Sequence, residues 1–358
     1  MNCQVIIVSP SLDPKVNVSG ISSVVRYIIE HCKTIEFVHF ELGRKDNEGG
    51  KYRIFSLIAA LIEWMKVLSK EKKALIHYNF AFDTKGIVRD FFFISLAKFL
   101  KRKLVLHIHG GKYMNDNSPS KLLNTMIKRI LKGNKAIIVL SNKEKSLIEQ
   151  KYNLQDVCVL PNPIEVPVSG ATDKIYDNDG THFLYLGRIE KNKGIEEMLD
   201  AFSKLKETEH SFKLHLAGKE QGEDNYIERF KTALDNSFIY EGVVSGNDKD
   251  ELLRKCHVFL LPSYYEGLPM SLLETMSYGM VPIVTEVGSI GDYVVDGKNG
   301  MIVNVGDAKS LYDTVIRILG NRKIINNLSK EAYETMRNYF SKEEYIDKLN
   351  EIYIKVRK

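Results

Sequence analysis

Short β-branched apolar runs alternate along this chain with longer stretches in which apolar residues return every three or four positions, the periods of strand and helix. In the first part, residues 4–8, 36–40, 75–78, 104–109, 136–140 and 157–160 read as strands. Helical spacing lies between most of them, notably over residues 21–31, 52–70, 88–100 and 121–131. Pro161-Asn162-Pro163 breaks this rhythm, and the segment to about Gly180 has the Pro, Gly, Asp and Asn content of a linker. The alternation restarts at His182, with strands expected at 183–186, 213–217, 238–240, 258–261, 282–285 and 301–303. Ile195, Met198, Leu199, Phe202 and Leu205 mark an amphipathic helix after the first of these, and residues 342–358 read as a closing helix. This βα rhythm on both sides of one linker predicts an α/β chain of two doubly wound parallel sheets, over residues 1–163 and 164–341.

Length agrees, since 358 residues exceed one ordinary core. With 44% hydrophobic and 27% charged residues the composition is that of a globular protein. Cys3, Cys32, Cys158 and Cys256 match no metal or disulfide spacing, which predicts a reduced, cytoplasmic compartment. No basic segment and cleavage site follow Met1, so no signal peptide is expected, and the longest apolar run, residues 54–62, is too short to cross a bilayer. Charge changes the picture more. Residues 1–165 hold 26 Lys and Arg against 15 Asp and Glu, whereas the remainder holds 25 against 31. The basic first half is therefore expected to face a polyanion or an anionic membrane, and no nucleic-acid motif accompanies it. Phe91-Phe92-Phe93 with Lys98, Lys101, Arg102 and Lys103, and the stretch 52–73, combine apolar bulk with cations suited to such a membrane.

The chemistry concentrates between residues 259 and 284. A strand stops at Pro262, a loop follows, and a helix with Pro269 at about its first position runs to Gly279. Glu266 lies in the loop and Glu274 on the helix, with seven residues between them. The N–H groups of Leu268, Met270 and Ser271 would face the same mouth, where an anion such as phosphate fits. The plainer reading is a buried helix with two glutamates on its wet edge. Gly187-Arg188 closes an earlier strand and Lys193-Gly194 opens the next helix, so two cations flank one strand–helix junction; alone, Arg188 reads equally as a surface ion pair. Three features of the first half fall at strand ends, namely Ser19-Gly20, His109-Gly110-Gly111 and Ser141. His109 beside two glycines is placed to meet a ligand, whereas His77 reads as structural. Ser19-Gly20-Ile21 is not a full G-x-G-x-x-G, which argues against a nicotinamide enzyme. Residues 288–300 read mainly as a glycine-rich loop. Asp177-Asn178-Asp179 reads as linker, and Asp248-Lys249-Asp250 as a helix cap with acidic first-turn residues. No His, Cys and carboxylate cluster has metal-ligand spacing.

In this order, Gly187-Arg188, Lys193-Gly194, Pro262-Ser263, Glu266-Gly267-Leu268-Pro269, Glu274, and Asp296-Gly297 with Asn299-Gly300 resemble the retaining glycosyltransferases of family 4, the glycosyl transferases group 1, with the GT-B fold. The resemblance implies two Rossmann-like βα domains facing each other across a cleft, the first for the acceptor and the second for a nucleoside diphosphate sugar, with the closing helix packed back on the first. It implies that Glu274 binds the ribose diol, that Arg188 and Lys193 bind the diphosphate and stabilise the leaving group, and that Glu266 contacts sugar hydroxyls. The amides of Leu268 and Met270 would hold the sugar or phosphates, with Gly187, Gly267 and Pro269 in the same loops. The backbone of Gly242-Val243 would hold the base, Gly20 would let a loop approach the diphosphate, and His109 would close over the sugar. No metal or other cofactor is implied. A UDP-hexose or UDP-N-acetylhexosamine is favoured, ahead of GDP-mannose, and the acceptor is a saccharide or lipid-linked hydroxyl of a bacterial surface polysaccharide or glycolipid. Ser289 and Asp292 stand where the family often has glycine and glutamate. Two other readings of the same residues are a sugar-nucleotide 2-epimerase and a non-catalytic nucleotide-binding scaffold.

Overall fold

The computed structural model describes residues 3–13, 16, 19–43, 52–114, 116, 120–167, 180–339 and 341–357. The apolar runs become parallel strands because their residues are buried on both faces, as Val5, Ile6, Ile7 and Val8 are. The first sheet contains β1 (Cys3–Ser9), β2 (Ile35–Glu41), β3 (Leu75–Phe80), β4 (Leu104–Ile108), β5 (Ala136–Val139) and β6 (Val157–Val159), in the spatial order β2-β1-β3-β4-β5-β6. The second contains β7 (Thr181–Leu186), β8 (Phe212–Ala217), β9 (Phe238–Gly242), β10 (Val258–Leu261), β11 (Val281–Thr285) and β12 (Met301–Val303), in the order β12-β11-β10-β7-β8-β9. Numbered within its own unit, the first sheet runs 2-1-3-4-5-6 and the second 3-2-1-4-5-6. These are the two common doubly wound orders, and each has a switch point where strand order reverses. The switch lies between β1 and β3 in the first sheet and between β7 and β10 in the second.

Helices cover both sheets. The first unit has α1 (Gly20–His31), α2 (Tyr52–Lys70), α3 (Thr84–Phe99), α4 (Lys121–Leu131) and α5 (Asn142–Tyr152). The second has α6 (Ile195–Lys206), α7 (Tyr226–Leu234), α8 (Gly246–Lys255), α9 (Met270–Ser277), α10 (Ala308–Leu319) and α11 (Arg322–Tyr339). A last helix, α12 (Lys342–Arg357), belongs to the first unit, so the chain divides into Met1–Pro163 with Lys342–Lys358, and Ile164–Ser341. Its seam is polar as well as apolar. Tyr353 hydroxyl lies 2.5 Å from His77 Nδ1, Cys32 Sγ donates to Asn350 Oδ1, and Arg357 reaches the Gln4 carbonyl at 2.8 Å.

Several expectations change at this level. Helix α3 begins at Thr84, ahead of its apolar pattern, because Asp83 accepts from the Gly86 N–H at 2.8 Å and caps it. Ser141 lies at the strand end as expected and caps the next helix. Its hydroxyl accepts from Glu144 N–H while Glu144 Oε2 accepts from Leu140 N–H, a reciprocal cap that starts α5. Ser245, not Asp248, precedes α8, and Asp248 sits in its first turn. Pro269 immediately precedes α9, about where the sequence placed the helix start. Gly279 does end that helix, its N–H bonding Met276 and that of Met280 bonding Thr275, the paired closure of a left-handed C-terminus. Asp177-Asn178-Asp179 and most of the expected linker lie outside the described residues.

Candidate active site

The loops that follow β7 and β10 diverge at the second sheet's switch point, where doubly wound sheets leave a crevice. The first carries Gly187, Arg188 and, through a short turn over Lys191–Lys193, Lys193 and Gly194. Gly194 has φ of +73°, and a Cβ there would collide with the Pro262 carbonyl oxygen. Only glycine lets the start of α6 lie this close to the end of β10. The Tyr264 N–H completes the join by donating to the Asn192 carbonyl at 3.0 Å. This close approach brings Lys193 Nζ to 2.7 Å from Glu266 Oε1, with side chains 16% and 11% exposed. The Ser263 hydroxyl donates to the same carboxylate oxygen at 2.8 Å.

A third strand tip fixes the Glu266 loop from behind. Thr285 at the end of β11 donates its hydroxyl to the Ser263 carbonyl at 2.6 Å, and Ser289 N–H donates to the Gly267 carbonyl at 3.0 Å. Gly288, at φ +57°, passes so near that a Cβ would strike the Glu266 carbonyl. Part of the glycine-rich connection therefore holds Glu266 in place. The rest is self-contained: Asn299 accepts from Val295 N–H and donates to the Tyr293 carbonyl and Thr335, and Asp296 accepts from Ile302 N–H.

The remaining expected residues lie on neighbouring loops and helices, each with its own partners. Arg188 is anchored through its carbonyl, which accepts from the buried Tyr185 hydroxyl at 2.5 Å, while its guanidinium is 46% exposed and 3.9 Å from Glu190. Burial, reinforced by Glu266 and Glu190, holds the Tyr185 phenol well above its ordinary pKa, so it remains a donor. Glu274 accepts from Lys249 Nζ at 3.0 Å. Lys249 is a cation that sequence reading set aside as part of a cap, and nothing in its local pattern marks it. Leu268 is buried, and Gly267, Pro269 and Met270 are half-buried at the head of α9. The N–H groups of that first turn lack helical acceptors, as at any helix start. Gly242 ends β9, and its carbonyl accepts from Gly218 N–H at 2.6 Å; Val243 beyond it is exposed.

The first unit has a tip of different character. His109 follows β4, and its Nε2 lies 2.7 Å from Asn79 Oδ1 on β3. Asn79 Nδ2 donates to the Val8 carbonyl of β1 at 3.0 Å, so its oxygen is left to accept from the His109 N–H. Burial pushes His109 down to about 3, which keeps the ring neutral. Behind it, His107 packs at 4.0 Å between ring centroids, and His77 Nε2 lies 3.2 Å from His107 Nδ1. His77, read as structural, is the inner end of this file, also pushed down to about 3 by burial. Asn79 was missed because nothing near it in sequence reveals its partner, 30 residues away. Gly20 is the first residue of α1, with Ser19 as its extended cap.

Two units built this way have the GT-B fold of glycosyltransferases. The crystal structure of HepE from Anabaena in complex with UDP and glucose superposes with a TM-score of 0.74 at 15% identity, over 98% of both chains. Residues 173–335 match the family model for glycosyl transferases group 1, and the chain is a glycosyltransferase. An uncharacterized glycosyltransferase of Methanocaldococcus jannaschii is 26% identical over 301 residues, which cover 81% of this chain and 78% of that protein. The Escherichia coli UDP-Gal:alpha-D-GlcNAc-diphosphoundecaprenol alpha-1,3-galactosyltransferase is 30% identical over 108 residues, 30% of this chain and 28% of that one.

Proposed function

We propose that the chain is a retaining family 4 hexosyltransferase. It moves a hexose or N-acetylhexosamine from a UDP-sugar to a hydroxyl of a saccharide or lipid-linked acceptor in surface polysaccharide or glycolipid assembly, with no metal ion in the chemistry. The Lys193–Glu266 pair at the switch point carries this reading. When the bond from the anomeric carbon to phosphate breaks, negative charge grows on the departing diphosphate. A fixed ammonium, the Arg188 guanidinium and the free N–H groups that open α9 stabilise that charge without reorganising. Glu266 has by then turned from its lysine partner to the sugar hydroxyls, as the donor binds, and Glu274 takes the ribose diol. The acceptor oxygen attacks from the face the diphosphate leaves, and its proton passes to a phosphate oxygen. The anomeric carbon thus keeps its configuration with no enzymatic nucleophile. A neutral His109 serves as a hydrogen-bonding partner for a sugar hydroxyl and not as an acid. UDP as the nucleotide is supported by the donor of the E. coli relative and by the UDP held in the Anabaena structure.

The test is a melting-temperature screen of UDP, GDP and their sugars, followed by product analysis with the best donor. UDP should raise the melting temperature most, EDTA should leave transfer unchanged, and an α-linked donor should give an α-linked product. Conversion of the donor to an epimer without acceptor would assign the isomerase reading, and no response to any nucleotide would remove both.

A further inference from the structure

The outer face of α2 breaks the usual rule for a helix covering a sheet. Trp64 and Leu68 are buried against the core, and the Trp64 indole donates to the Phe93 carbonyl of α3 at 3.1 Å, so the inner face is fully used. The side turned to solvent ought then to be polar. Instead Phe55, Ile58, Ile62 and Met65 are 73%, 54%, 47% and 42% exposed. At 3.6 residues per turn these four fall within about 80° of one another, a single stripe, with Lys66 and Lys70 along one flank. Helix α3, packed beside α2, shows a second stripe of Val88, Phe92 and Phe99, all exposed. Isolated exposed apolar residues are ordinary, but two ordered stripes on neighbouring helices are an interaction surface.

Charge identifies the occupant. From residue 52 to 74 the chain carries five cations and two carboxylates, and Lys66, Lys70, Lys72 and Lys73 are exposed. The structure also corrects which cations are available. Lys98 is spent on the carbonyls of Arg129, Ile130 and Lys132 at the end of α4, and burial pushes it down to about 8. Arg102 bonds the carbonyls of Leu68, Glu71 and Ala74, and Lys103 that of Arg357. These three close helix ends and are not offered to a partner. Of the phenylalanine triplet, Phe93 is buried and only Phe92 faces fully outward.

We propose that the α2–α3 face of the first unit docks on an anionic lipid bilayer, with the α2 stripe seated among the acyl chains and Lys66, Lys70, Lys72 and Lys73 at the headgroups. A protein partner would want pockets and paired polar groups, whereas a stripe of flexible aliphatic and aromatic side chains flanked by exposed lysines suits a fluid anionic surface. Lys66 and Lys70, both exposed, make only ion pairs with Glu63 at 3.4 Å and Glu71 at 3.7 Å, which headgroups can displace. No helix among the described residues is long and apolar enough to cross a membrane, so the contact is a resting one. That it brings the first unit to a lipid-linked acceptor rests on the transfer reading; the docking itself does not.

The experiment is co-sedimentation of the full chain with phosphatidylcholine vesicles containing about 30 mol% phosphatidylglycerol, at about 50 mM and 500 mM salt. Binding is expected at low salt, weaker at high salt and weaker still on pure phosphatidylcholine. The triple variant Phe55→Ser/Ile58→Ser/Ile62→Ser should bind at least about tenfold more weakly, since each removes apolar area from the bilayer contact. Lys70→Glu/Lys73→Glu should lower affinity and flatten the salt dependence, and Ile354→Ser on α12 should change nothing. Unaltered UDP binding and melting temperature show each variant folded, and also separate a failure of docking from a failure of the donor reading. No vesicle binding at low salt, equal binding to neutral vesicles, or an unaffected triple variant would overturn the proposal. So would a wild-type dimer that the triple variant makes monomeric, without vesicle binding, which would assign the face to self-association.

Discussion

The two sheets share a design and differ in what their switch points hold. In the second unit the strand tips beside β7 and β10 present an ion pair, Lys193 with Glu266, braced by Ser263 and by the backbone of the next loop. In the first unit the switch is bridged by Asn79, which bonds the Val8 carbonyl on β1 and the ring of His109 beyond β4, and burial keeps that ring neutral. One doubly wound plan, in its two strand orders, therefore supports two chemistries. Fixed charges suit a diphosphate, and neutral donors and acceptors suit hydroxyl groups. What separates them is a few side chains at the strand tips, which is why fold alone names an architecture and not a substrate.

The strongest way to break this comparison is to remove the charge. Lys193→Ala should lower transfer by about 10²–10³ in kcat, as loss of one donor to a developing oxyanion does elsewhere, with a smaller loss of UDP affinity. A drop confined to UDP affinity would reduce Lys193 to ground-state binding.

Acid should separate the units next. His77 and His109 are pushed down to about 3 and His107 well below its ordinary value, all by burial, whereas an unfolded histidine titrates near 6.5. Between these values the unfolded chain takes up protons that the folded one refuses. Stability is therefore whole above pH 6.5 and lost as pH falls, by up to about 1.4 kcal/mol per pH unit for each histidine. In the second unit burial also lowers His215, but Glu241, 2.6 Å from its Nδ1, offsets part of the shift. Hydrogen exchange, corrected for intrinsic rates, should show β3 and β4 losing protection at a higher pH than β7 and β8. The reverse order would contradict it.

A third variant sharpens the neutral site. Asn79→Asp places a negative charge against His109 Nε2 and should raise its pKa. The acid limb of kcat/KM should then move up into the range of about pH 5–7, with roughly a tenfold loss at pH 5, while the wild type stays flat there. An unmoved limb would show that His109 titration has no part in transfer. The smallest effect belongs to Ser289, whose buried hydroxyl has no hydrogen-bond partner. Ser289→Ala should be neutral or stabilise by up to about 1 kcal/mol in denaturant unfolding, because it removes an unsatisfied group.

Much of this was legible before any coordinates. Continuous β-branched runs gave every strand within a residue or two, because burial on both faces leaves an unambiguous record. Glu266, Glu274, Arg188 and Lys193 were marked by glycines and prolines that punctuate strand–helix turns. The helices α5, α7, α10 and α11 went unnamed. Helix α5 buries only Glu144 and Ile148 and starts from a reciprocal cap, whereas α7, α10 and α11 do carry apolar residues at helical spacing, such as Leu311, Val315 and Ile318, that sequence reading passed over. Lys98, Arg102 and Lys103 read as free surface cations, and only their fixed carbonyl partners show otherwise.

The sequence by itself determined two βα units, their boundaries in the chain and the loops that carry the charged residues, because periodicity and turn chemistry act over a few neighbouring positions. Tertiary structure decided the partners: Lys193 with Glu266 across 73 residues, Lys249 with Glu274 across 25, Asn79 with His109 across 30. Those pairings depend on which strands lie side by side and on glycines that let two loops touch. Such contacts are set by the packing of whole elements, and no local pattern encodes them.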